Sequence, residues 1–286
     1  MTRRLALLVW LVVATPAAAQ HAFTMDYSSG ASPNAGWGTG AYTDQSTFTV
    51  TRLATGGPSG QAAYRMTIDY DGGAANFGGQ FNYGWRDTLA SPSQPTYGAT
   101  QYYRWRMKVD SGTNYQCRDW ADGAAPVNCI DKMLLVNDGC TSDPCRPILT
   151  MESDYAAGTY VLIIQKDGGD DQGTTPSYQE GVWIDVQLRI TWSSALGVAN
   201  GSYALWIDNN SAGSPTVSVP GIIINASNNP GYTRFGSFQN HGVSAAGTFA
   251  WTHADFRTGP SFDSAWDGAG GADPPVRMPA FRTRED

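Results

Sequence analysis

From residue 46 to residue 257 the chain shows almost no helical periodicity, only short runs rich in Val, Ile, Thr, Tyr, Phe and Trp. Clusters of Gly, Pro, Asn, Asp and Ser separate them, the pattern of strands joined by turns. The runs lie near 46–53, 61–70, 77–84, 100–109, 131–137, 147–153, 159–166, 182–192, 202–208, 220–225, 232–240 and 248–257. Many alternate apolar with polar residues, so each offers one face to a core and one to solvent. A dozen antiparallel strands exceed an immunoglobulin domain and fit an all-β fold, a two-sheet antiparallel jelly-roll β-sandwich. No repeat or Pro/Ser-rich linker interrupts the body, so residues 20–266 read as one domain. Residues 267–286 open with Asp-Gly-Ala-Gly-Gly-Ala-Asp-Pro-Pro and read as an extended or disordered C-terminal tail.

The N-terminus sets the expected compartment. Arg3 and Arg4 precede an apolar run from Leu5 to Ala14, then Thr15-Pro16 and Ala17-Ala18-Ala19. That order reads as a signal peptide over 1–19, too short to span a bilayer, so a secreted or periplasmic protein is expected. The formal charge of −7 leaves no electrostatic footprint for nucleic acid or an anionic membrane. A monomer is expected. Gly 33, Tyr 14 and Trp 10 with only 15% charged residues suit a sandwich whose surface meets sugars. In an oxidising compartment Cys117, Cys129, Cys140 and Cys145 read as two disulfides with three possible pairings. The local pairing, Cys117–Cys129 and Cys140–Cys145, is favoured over a zinc site, because no close C-x2-C pair or nearby histidine exists.

A resemblance follows from the C-terminal half. Trp183-Ile184-Asp185 leads through a strand to Gly201 and on to Trp206-Ile207-Asp208. Arg234-Phe235-Gly236-Ser237-Phe238 and Trp251-Thr252-His253-Ala254-Asp255-Phe256 come after it. This succession resembles concanavalin A-like lectin/glucanase jelly rolls, in particular secreted polysaccharide lyases and laminin-G-like modules. The resemblance covers roughly residues 100–257 and implies the fold more firmly than an activity.

Three constellations are candidates for contact with carbohydrate. In the run Gln101 to Val109, period 2 puts Tyr102, Arg104, Arg106 and Lys108 on one face and Tyr103, Trp105, Met107 and Val109 on the other, the core face. A tyrosine and three cations in a row suit an anionic sugar chain, since arginine can hold a uronate carboxylate through paired hydrogen bonds; the alternative is an ordinary solvated face that offsets the acidic balance of the chain. Alanine at Arg104 or Arg106 is expected to weaken such binding while leaving folding nearly intact. The second constellation is Gln239-Asn240-His241, and the third is Trp251-x-His253-x-Asp255, which reads in two ways: as one face on which Trp251 stacks on a sugar ring beside His253, or with Trp251 in the core and Asp255 bonded to a neighbouring turn. Lys132, in Asp131-Lys132-Met133-Leu134-Leu135, is either a lysine on a cleft floor or an edge charge.

A lyase acting on a uronate-containing glycan by β-elimination needs a base and a group that neutralises the carboxylate. Tyr102 or His241 would move the proton, with Arg104, Arg106 and Gln239 at the carboxylate. The signatures R-x-E-L-R and Q-[IV]-H of one lyase family of this fold are absent. The alternative is a non-catalytic glycan-binding module of lectin or laminin-G type using the same face. Glycoside hydrolysis is disfavoured because no E-x-D-x-x-E strand exists and the glutamates are few: Glu152, Glu180 and Glu285. A copper-dependent polysaccharide monooxygenase would need His21 as first residue, with His241 or His253 completing the site; small-x-small cleavage after Ala19 favours Gln20 instead. No cofactor is required, although Lys166-Asp167-Gly168-Gly169-Asp170-Asp171 could supply oxygens to a structural calcium.

Overall fold

The computed structural model describes residues 23–25, 27, 37–42, 47–70, 81–87, 96–110, 117–118, 126–127, 129–138, 147–154, 157–166, 171–208, 214–226, 232–239, 242–243 and 247–260. The leader, the tail, His21, His241, Cys140, Cys145 and Asp167–Asp170 lie outside them.

In chain order the strands are β1 (Phe23–Thr24), β2 (Trp37–Tyr42), β3 (Thr47–Leu53), β4 (Ala63–Tyr70), β5 (Phe81–Asp87), β6 (Thr100–Val109), β7 (Cys117–Arg118), β8 (Pro126–Val127), β9 (Cys129–Asp138) and β10 (Ile148–Asp154). They continue as β11 (Thr159–Gln165), β12 (Asp171–Thr174), β13 (Tyr178–Gln179), β14 (Ile184–Thr191), β15 (Gly201–Ile207), β16 (Val217–Ile222), β17 (Tyr232–Gln239), β18 (Gly242–Val243) and β19 (Gly247–Gly259). No helix occurs among the described residues. The first sheet runs β16-β15-β14-β6-β19-β4-β3, with β1 also on β19; the second runs β12-β11-β10-β9-β17-β5-β2, with β13 also on β11. A small third sheet, β18-β7-β8, stands apart. All described pairings are antiparallel, as a jelly roll requires. β2 was not expected from the sequence, where Trp37-Gly-Thr-Gly-Ala-Tyr42 carries too few branched residues to announce a strand.

The core lies between the two large sheets. β6 delivers the expected alternation: Tyr103, Trp105, Met107 and Val109 are buried on the inner face. From the second sheet Phe235 meets them, its ring 5.4 Å from Trp105 and 4.0 Å from Phe256 of β19. Leu134, Leu149, Met151, Leu162 and Ile164 fill the same layer.

β19 decides the third constellation in favour of the core reading of Trp251 and against sugar contact by Trp251 and His253. Trp251 and His253 are both fully buried and point into the core, with Phe235 6.0 Å and 4.8 Å from their rings. Between Ala254 and Arg257 the ladder with β6 shifts register, and Asp255 has a φ of 59°. A bulge of this kind adds one residue and reverses the parity beyond it. Asp255 therefore turns to the outer face while Phe256 continues the core. Trp251 and His253 cannot touch a polymer, and His253 cannot complete a copper site, because its Nδ1 lies 2.9 Å from the Tyr27 hydroxyl. That hydroxyl also accepts the Phe256 N–H at 3.1 Å.

Burial lowers His253 from 6.5 to about 3, which keeps the folded ring neutral. Below pH 6.5 the unfolded chain takes up a proton that the fold refuses, so stability falls as pH drops towards 3. From neutrality to about pH 5 this one group should remove about 2 kcal/mol. His253→Gln, which keeps an acceptor for Tyr27 without titrating, should lose that much less over the same interval in urea unfolding. Equal pH slopes for the two proteins would contradict the assignment.

Candidate carbohydrate-binding faces

The outer face of the first sheet carries the cationic row of β6, and carboxylates meet it. Arg104 Nε donates to Asp185 Oδ1 at 3.1 Å and Nη2 to Oδ2 at 2.6 Å, a closed fork on β14. Arg104 is only 6% exposed. Burial draws it down to about 10 while Asp185 opposes the shift, so the cation persists at neutral pH. The Asp185 carboxyl is raised by the same burial against the pull of Arg104, and its backbone N–H donates to Asp208 Oδ1 at 2.8 Å. Arg106 Nη1 stands 3.5 Å from Asp255 Oδ2, which also accepts from Gln61 Nε2 at 3.0 Å. The bulge in β19 is what presents Asp255 to Arg106.

The expected parity of β6 therefore holds, but the role given to Arg104 does not. A guanidinium closed on a buried carboxylate has no fork left for a uronate and serves as a tie between β6 and β14. Removing one member of such a pair leaves the other charge buried without compensation, at a cost of about 3–5 kcal/mol. Arg104→Ala should lower the unfolding free energy measured in urea by that much, whereas Arg106→Ala, at a longer and more exposed contact, should cost much less. An Arg104→Ala protein as stable as the parent would contradict the tie.

The second sheet presents a different outer face, read from register. Phe235 faces the core, so Arg234, Gly236 and Phe238 occupy the outward positions of β17. Gly236, Gly84 and Gly40 are successive Cα partners across β17, β5 and β2. One flanking row is Arg234, Arg86 and Gly38; the other is Phe238, Asn82 and Tyr42. Phe238 is also the partner of Lys132 on β9, which pairs with Thr150 on β10. Three aligned glycines contribute no side chain, so the register leaves a row without side chains, a glycine trough in this sense, between the two flanking rows. Gly236 has a φ of 152°, a conformation open to glycine.

The sequence candidates thus fall on two faces that point away from each other. Tyr102, opposite Arg189, lies with Arg104 and Arg106 on the first sheet. Lys132 lies on the second, and Gln239 ends β17 opposite Asp131, one position out of phase with Lys132. His241 falls outside the described residues, between β17 and β18. Cys117 begins β7 and Cys129 begins β9, and no disulfide is found among the described residues. Asp171 Oδ1 accepts from Gln165 Nε2 at 2.8 Å, and no acidic or histidine cluster suited to a metal ion occurs among the described residues.

Arg86, Asn82, Tyr42 and Arg234 escaped the sequence reading. Their signal was a glycine at the centre of three alternating runs: Gly38-x-Gly-x-Tyr42, Asn82-x-Gly-x-Arg86 and Arg234-x-Gly-x-Phe238. Only the pairing register brings the three centres into line.

The sequence model of the family described as polysaccharide lyase matches residues 32–258, from ahead of β2 to the end of β19. The chain belongs to that family. No curated protein sequence matches it. Its fold is similar to that of an endo-β-1,4-glucuronan lyase from the fungus Trichoderma reesei, with a TM-score of 0.56 and 16% identity over 85% of this chain and 97% of that one. An alginate lyase, vAL-1, from a Chlorella virus gives 0.44 and 11% over 79% and 93%. An endo-1,3-β-glucanase from Streptomyces sioyaensis gives 0.44 and 12% over 87% and 99%. Family membership and the concanavalin A-like jelly roll agree with the resemblance seen in the C-terminal half.

Proposed function

We propose that this polysaccharide lyase is exported and cleaves a uronate-containing polymer by β-elimination on the outer face of its second sheet. The observation that carries the placement is the register row that sets Arg234 beside Arg86, across a glycine trough from Asn82, Phe238 and Lys132. The similarity in fold to a glucuronan lyase makes a glucuronate polymer the first substrate to try.

In this reaction a base removes the proton next to the carboxylate. The electron pair forms a C4=C5 double bond, the C4–O glycosidic bond breaks, and the departing oxygen takes a proton. The step is slow unless charge on the carboxylate is neutralised as the carbanion develops. Arg86 and Arg234 have the fork to hold that carboxylate, and Lys132 and Asn82 supply further donors in the parallel row. His241, which follows β17, and Tyr42, in the row of Asn82, have the chemistry to move the two protons. Tyr102 lies on the opposite face and is left out of this set.

Export rests on the 1–19 leader, and the pairings Cys117–Cys129 and Cys140–Cys145 belong to the same reading.

A panel of glucuronan, alginate, pectin and glycosaminoglycans, followed by the ultraviolet absorbance of the unsaturated uronate, tests the proposal. At least one polymer should give the chromophore. Arg86→Ala and Arg234→Ala should each lower kcat/KM roughly ten- to a hundredfold, the equivalent of a charge-assisted contact worth about 1.5–3 kcal/mol. His241→Ala or Tyr42→Phe should abolish product while the polymer still binds. New reducing ends without the chromophore would mean hydrolysis, and the proposal would fall.

A further inference from the structure

Four residues along β6 from Arg104, the outer face of the first sheet opens into a cavity of about 340 Å³. Leu53, Arg65, Lys108, Asp110, Gly181 and Thr252 line it. The register explains their convergence: Thr252 of β19 is the Cα partner of Arg65 on β4 and of Lys108 on β6. Arg65, Thr252 and Lys108 thus form one row across three strands, and Asp110 follows directly on the end of β6.

Asp110 is the pedestal of this row. It accepts from Arg65 Nε at 2.7 Å, lies 3.4 Å from Lys108 Nζ, and meets Thr252 Oγ1 at 3.3 Å. Arg65 meets Asp110 through Nε, on the edge that Arg104 turns to Asp185, and the end edge between its two Nη groups is a separate pair of donors that can fork onto a carboxylate. Its side chain is 41% exposed. Lys108 Nζ also sits 5.7 Å from the centre of the Trp183 ring, which places an aromatic face at the rim. Gly181 has a φ of 77° and donates its N–H to the Val109 carbonyl at 2.7 Å, a tight turn that adds no side chain to the wall. Two cations around one carboxylate leave the cavity net positive in a chain of net charge −7.

The geometry points to a second, non-catalytic subsite that holds one uronate residue of an acidic polysaccharide. The sugar carboxylate lies between the Arg65 fork and the Lys108 ammonium. Leu53 and Trp183 offer apolar surface to the C–H face of the ring or of its neighbour. The volume suits a ligand of that size. Because this cavity and the glycine trough are on opposite sheets, it would anchor a long polymer or a second chain and raise the local concentration of substrate. The ligand class rests on the reading that the substrate is a uronate polymer; the site itself rests on the cavity.

The test compares the parent with an Arg65→Ala/Lys108→Ala double variant by electrophoresis through gels containing each acidic polymer, and by turnover. Retardation should fall severalfold in the double variant. Turnover of a uronate trisaccharide should stay within about twofold, while KM for the long polymer rises about three- to tenfold at unchanged kcat. Arg65→Lys, which keeps the charge and the Asp110 contact but not the fork, should fall between the two. Trp183→Ala leaves the Asp110 network intact and should also reduce retardation, which keeps the test open if the double variant folds poorly. Equal retardation of the parent and of both the double and the Trp183 variants would overturn the subsite, as would a parent that no acidic gel retards. Failure of the lyase reading looks different: the parent then makes no unsaturated product, and gel retardation still decides the subsite.

Discussion

The stacking of Phe235 on Phe256, with Trp105 and Trp251 edge-on or tilted around them, is the contact on which both outer faces depend. Phe235 comes from β17 of one sheet and the other three rings from β6 and β19 of its partner. Side chains on a strand alternate, so pinning Phe235 inward sends Arg234 and Gly236 outward in the same stroke. Pinning Trp105 likewise sends Arg104 and Arg106 out. A one-residue slip of either strand would bury cations and expose aromatic rings, and offset aromatic packing of this kind resists such a slip.

The two outer faces then diverge by electrostatics. On the first sheet β14, the end of β6 and the β19 bulge bring Asp185, Asp110 and Asp255 to the cations of β6. Most of that positive charge becomes structural, with Arg104 and Asp185 as its least exposed pair. On the second sheet the register makes Arg234 the Cα partner of Arg86. Like charges directly opposite on a sheet are destabilising by themselves. Such an arrangement is most easily understood where an anionic ligand separates the pair, which is why the proposed chemistry is placed there and not on the more conspicuous row of β6.

Much of this fold was legible in the sequence because it depends on local alternation. The burial of Tyr103, Trp105, Met107 and Val109 follows from period 2 alone. What eluded the sequence depends on pairing between distant segments. That Asp185 would close on Arg104 requires knowing that β14 lies beside β6. That Tyr102 and Lys132 would face opposite sides requires the strand order of both sheets. The bulge at Asp255 was hidden for another reason. Trp251-x-His253-x-Asp255 keeps perfect alternation on paper, and the extra residue appears only against the β6 ladder. Glycine proved the more informative residue: three central glycines, unremarked singly, become a trough once β2, β5 and β17 are aligned.

The structure of the protein with a bound, saturated uronate tetrasaccharide tests the central claim most directly. The account predicts sugar rings crossing β2, β5 and β17 over Gly40, Gly84 and Gly236, with a carboxylate in hydrogen-bonding contact with Arg86 or Arg234. A tetrasaccharide lying instead across β6 and β14 beside Tyr102 and Arg106, with the glycine row bare, would contradict it.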